Sequence, residues 1–164
     1  MEHPALDDLR YEIATLAAQG LLYLRVGNVI AHSQWSPAAD ALLESLLHRL
    51  RALDDFFSNR TEPGNKDDVV AKDLAPGWKK RRTLHTGERK AINWRLAHFT
   101  SDRPVEPTWQ IGDMVHRALE ASARFLKEPE LQTLSDVAKQ VDDALASWDL
   151  LYIVVSSPGR HAHL

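Results

Sequence analysis

The chain has 164 residues and a mass of 18.5 kDa, a length that suits one domain rather than two. With 44% apolar and 26% charged residues it is too apolar for a disordered chain. The absence of cysteine excludes a disulfide scaffold, a thiolate zinc site and a cysteine nucleophile, and it fits a reducing cytoplasm, the expected location. The opening Met1-Glu2-His3-Pro4 has no basic start followed by an apolar run, so no secretory signal is expected. The longest apolar run, residues 150–155, falls far short of the ~20 residues that span a bilayer, so no membrane association is expected.

Residues 6–32 lack proline and carry Leu6, Leu9, Ile13, Leu16, Ala17 and Leu21 at helical spacing, which predicts a first helix. Gly20, Gly27 and the strand-like residues 21–26 predict that it bends or ends early. Ser36-Pro37 is a capped start for a second helix over 38–58, where Ala39, Leu42, Leu43, Leu46, Leu47, Leu50, Leu53 and Phe57 form a broad apolar face. A polar loop over 59–64 follows. Asn65, Asp67 and Asp68 then predict a short capped helix reaching Leu74, stopped by Pro76-Gly77.

Thr86-Gly87-Glu88 begins a helix predicted to reach Phe99, with Ile92, Leu96 and Phe99 as its apolar stripe. A loop over 100–107 leads to a helix over 108–127, with Trp109, Met114, Val115, Leu119, Ala123 and Leu126 inward. Glu128-Pro129 breaks the chain. A further helix spans 130–148 with Leu131, Leu134, Val137, Val141, Ala144 and Leu145. Residues 150–155 read as a brief strand or a packed tail, and 156–164 as a flexible terminus. The pattern is all-α: a single helical domain over 1–164, a bundle of four to five main helices.

Charge is unevenly placed. Between residues 78 and 103, eight cations (Lys79, Lys80, Arg81, Arg82, Arg89, Lys90, Arg95 and Arg103) face two acids, on a chain whose net charge is −3. Such a segment attracts phosphate, and a solvated connector before a helix has the same composition. Lys79, Lys80, Arg81, Arg82 and Arg103 are therefore the candidate RNA contacts.

Arg95 and His98 are three residues apart and share a helical face. A histidine there can take a proton from a ribose 2′-hydroxyl, and an arginine can hold the phosphate and its developing charge. That chemistry needs no metal and no cofactor. A histidine at a helix end can equally hydrogen-bond the last carbonyls. Glu44, His48, Arg51 and Asp55 form a second polar stripe, at spacings of 4, 3 and 4 beside the leucines of the second helix. Facing His98, the stripe could orient the imidazole through Asp55 or Asp54; facing water, it would be a run of i,i+4 pairs. His48, His98 and His116 fall on three helices without an HxxxH or HxxE partner, so no metal site is expected. Trp35, Trp78, Trp94, Trp109 and Trp148 read as core or interface anchors, with Trp78 also beside the cationic run.

The chain resembles uncharacterised bacterial helical proteins related to the HEPN superfamily. The residues that carry the resemblance are Leu43-Glu44-Ser45, His48, Arg51, Leu53, Asp55-Phe56-Phe57, Asp67-Asp68, Asn93, Ala97-His98, Thr100 and Arg103, within 38–127. The resemblance implies a four-helix bundle that forms a homodimer and a metal-independent endoribonuclease in a defence or toxin–antitoxin setting. The superfamily's signature is an arginine, a polar residue and a histidine after four to six intervening positions. His98 matches the histidine, whereas Asn93 stands where an arginine is expected and Trp94 fills the polar slot. Arg95, Arg51 and Arg103 are the candidates to replace the arginine. The alternative is a non-catalytic helical module that binds a protein partner.

Overall fold

The computed structural model describes residues 4–30, 37–61, 68–97 and 110–156. Among them are six α-helices and one 3₁₀ helix, with no strand. The expected all-α bundle is the fold. The helices are α1 (Ala5–Ile30), α2 (Pro37–Phe57), α3 (Ala71–Leu74), α4 (Thr86–Ala97), α5 (Ile111–Phe125) and α6 (Ser135–Ser156). No helix is long and apolar enough to cross a membrane among these residues.

α1 and α5 form the centre: each packs on the other and on both α2 and α6, while α4 lies on α2. The core is built from the expected periodicities. Leu9, Ile13, Leu16 and Ala17 of α1 meet Leu46, Leu47, Leu50, Leu53 and Phe57 of α2; Met114, Val115, Ala118 and Leu119 of α5; and Val137, Val141, Ala144 and Trp148 of α6. The α1–α2 seam has a polar flank. Glu12 pairs with Arg49, whose guanidinium also lies over the Tyr11 ring, and Gln19 hydrogen-bonds Ser45 at 3.1 Å.

α1 does not end early: it is one helix of 26 residues. Gly20 serves packing rather than a break. A β-carbon there would stand 2.6 Å from Val115 Cγ1 and 3.1 Å from Trp148 Cζ3, so the missing side chain lets α1 approach α5 and α6 closely. Gly20→Ala should gain about 1 kcal/mol of helix propensity but lose about 1–3 kcal/mol to overpacking a core that has no slack. We expect a net loss of stability and a lower urea midpoint. A variant more stable than the parent would refute this account of Gly20.

Two further expectations are corrected. The described part of the short third helix is one turn, Ala71–Leu74, with residues 68–70 irregular. Its start is held by Asp73 Oδ2, which accepts from Val70 N at 3.0 Å. Residues 150–155 continue α6 instead of forming a strand. With no described strand beside them there is no ladder to join, and extending an existing helix costs less than nucleating new structure. The 3₁₀ helix over Pro129–Leu134 supplies the first turns of the expected sixth helix. Asn65, Asp67, Trp35, Trp109, Phe99 and all of the expected tail over 156–164 except Ser156, which ends α6, lie outside the described residues, as does the proposed cap Ser36.

Candidate anion-binding segment and its anchor

Two residues past the end of α2, Asn59 adopts the left-handed conformation (φ 50°) that asparagine tolerates better than most residues. Its Oδ1 accepts from Lys72 N at 3.0 Å and so ties the end of α2 to α3. The free Phe57 carbonyl at this end accepts two donors, Trp78 Nε1 and Arg81 N, each at 3.0 Å. Trp78 is half-buried. Its ring lies 5.7 Å from Phe57 and 5.1 Å from Phe125, which makes it an anchor and not a stacking surface beside the cations.

Asp54 lies on the buried face of α2, between Leu50 and Phe57, and is 2% exposed. Its Oδ1 accepts from Thr83 N (2.8 Å), Leu84 N (3.0 Å) and Thr83 Oγ1 (3.2 Å). Its Oδ2 accepts from Arg89 Nη1 at 3.0 Å. Arg89 also reaches Asp55 Oδ1 at 2.6 Å, and Arg51 lies 3.9 Å from Asp55 Oδ2. Burial pushes the Asp55 carboxyl above its usual value, against the lowering pull of Arg89. At the head of α4, Glu88 accepts from His85 N at 2.7 Å and receives Arg117 of α5 at 2.7 Å, while Arg117 Nε donates to Thr83 O at 2.9 Å.

Residues 78–84 are thus an irregular segment pinned at both ends by α2. Lys79, Lys80 and Arg82 are exposed, and Arg81 is half-buried. Among the described residues no carboxylate pairs with any of the four. Arg49, Arg51, Arg89, Arg95 and Arg117, in contrast, each face one. Arg82 also opens onto a pocket of about 170 Å³ between Thr83, Leu84, His85, Thr86 and Arg117.

The other candidates divide. The stripe of α2 lies along α4 rather than wholly in water. Arg95 reaches Asp40 at 3.5 Å and Glu44 at 4.0 Å, so the end of α4 lies toward the start of α2. Asp54 and Asp55 are committed to Arg89, eight residues and roughly 12 Å along the axis from Ala97. Their expected role as carboxylate partners of His98 falls on a residue outside the described ones. Asn93 is half-buried, with an enclosed Oδ1 that has no donor among the described residues. His48 is exposed. His98, Thr100 and Arg103 lie outside the described residues. Among the described residues no three His, Asp or Glu side chains are grouped to hold a metal ion.

Sequence reasoning missed the anchor formed by Thr83, Glu88, Arg89 and Arg117. One signal was present. Asp54 occupies an apolar-face position of α2, and a carboxylate there requires donors from elsewhere in the fold. Comparison of the chain with protein-family models, curated proteins and solved structures finds no match.

Proposed function

We propose that this HEPN-like chain is a helical RNA-binding module that grips phosphates through Lys79, Lys80, Arg81 and Arg82 without cutting the strand. The observation that carries this reading is that, among the described residues, no carboxylate neutralises these four cations, on a backbone held at Phe57 and Asp54. A pinned segment loses little conformational freedom on binding, and free cations release counterions from phosphate without first breaking internal pairs. Binding without cleavage is favoured over the endoribonuclease expectation because Arg95 and Arg51, two of the three candidate phosphate clamps, already face carboxylates. The homodimer implied by the resemblance would place two such segments in one particle, and sedimentation equilibrium tests it.

The decisive experiment is fluorescence anisotropy with labelled single-stranded RNA in EDTA over a range of salt. The triple variant Lys79→Ala/Lys80→Ala/Arg82→Ala should bind more weakly. The slope of log affinity against log salt should shrink by about 2, since each lost single-strand phosphate contact removes roughly 0.7. Equal affinity and slope would sink the reading. In the same buffer the RNA should stay intact with the parent chain and with His98→Ala. Cleavage seen only with the parent would restore the endoribonuclease expectation.

A further inference from the structure

Of the two expected roles, core or interface anchor, Trp94 does not fill the first. It is 41% exposed, the least covered tryptophan among those described, whereas Trp148 is 2% exposed and Trp78 is tied to Phe57. α4 turns Ile92 into the core and Arg89 toward α2, which leaves Thr86, Lys90 and Trp94 on one exposed stripe at i, i+4 and i+8. The Lys90 ammonium sits 4.5 Å from the Trp94 ring centroid. Glu88, the acid of this helix, is turned away to Arg117. At the head of the stripe, Thr86 shares its pocket with Arg82, the last cation of the pinned segment. The cations of the pinned segment, then Lys90, then a partly exposed indole follow one another along a path whose helical part, Thr86 to Trp94, is about 12 Å long.

We infer that Trp94 is a stacking platform for an unpaired base, and that the RNA taken by this site is single-stranded. The inference rests on the proposed function. An aromatic face accepts any base, but only a strand whose bases are free of a duplex can present one. Lys90, already over the ring, would hold the phosphate beside the stacked nucleotide. Asp40 and Glu44 of α2 face Arg95, the neighbour of Trp94 on α4, which offsets their charge.

The test compares a labelled oligouridine with an abasic ribose-phosphate strand of equal length, for the parent chain, Trp94→Ala and Trp94→Phe. Urea midpoints serve as the folding control, since an exposed site should tolerate both changes. The parent should prefer the oligouridine, Trp94→Ala should bind it about tenfold to a hundredfold more weakly and lose the preference, and Trp94→Phe should keep most of it. Equal binding of both strands by the parent, or a preference that survives in Trp94→Ala, overturns the stacking role and leaves phosphate binding standing. Failure of the parent to bind either strand overturns the proposed function and the stacking role together.

Discussion

Asp54→Ala should lower the unfolding free energy by about 3–5 kcal/mol, the cost of leaving the buried donors of Thr83 and Leu84 without their acceptor. Four donors converge on this carboxylate: two backbone amides, the Thr83 hydroxyl and the Arg89 guanidinium. Arg89 would keep Asp55. Thr83 and Leu84 would have no acceptor in place of Asp54, and both residues are buried. Asp54→Asn preserves an acceptor oxygen and loses the charge, so it should cost about 1–3 kcal/mol. Urea denaturation of the three proteins ranks them directly. An Asp54→Ala midpoint equal to the parent's would show that the anchor holds nothing. Because the anchor positions residues 79–82, folded Asp54→Asn should also bind RNA more weakly than its stability alone predicts.

Phe125→Ala should cost about 3–5 kcal/mol, the range for deleting a buried aromatic ring into a cavity that closes only partly. The ring is fully buried at the end of α5. It makes edge contacts with Phe56 (5.2 Å), Phe57 (5.6 Å) and Trp78 (5.1 Å). Such contacts add about 0.5–1.5 kcal/mol per aromatic pair beyond area burial. Phe125→Leu refills part of the volume and should cost clearly less. The emission of Trp78 should change in the folded alanine variant because its nearest ring is gone. A near-neutral midpoint for Phe125→Ala would mean that these four rings do not act as one cluster.

The periodic elements were legible because burial selects one face of a helix. Leu46, Leu47, Leu50 and Leu53 of α2 and the Met114, Val115 and Leu119 stripe of α5 are the core that their spacing predicts. Gly20 misled because propensity is a local quantity, while its role is the approach of α1 to Val115 and Trp148, residues far away in sequence. Residues 150–155 misled because a short β-branched run has no periodicity that separates strand from helix. The cationic run was visible as composition. Its freedom from carboxylates was not, since Glu88 could have paired with Arg82 as readily as with Arg117 until the fold set their places. Trp94 was read with the other tryptophans because residue type alone does not say which side of α4 meets α2.

The close packing of α1 against α6 has a consequence for biosynthesis. Arg10 of α1 donates to the carbonyl of Thr133 across 123 residues of chain, and Gly20 lies against Trp148 of α6. During translation the first helix therefore emerges long before its main cover exists. Its leucine and isoleucine face can meet α2 early but must wait for α5 and α6 to be covered fully, a topology that slows folding and makes early release of the nascent polypeptide hazardous.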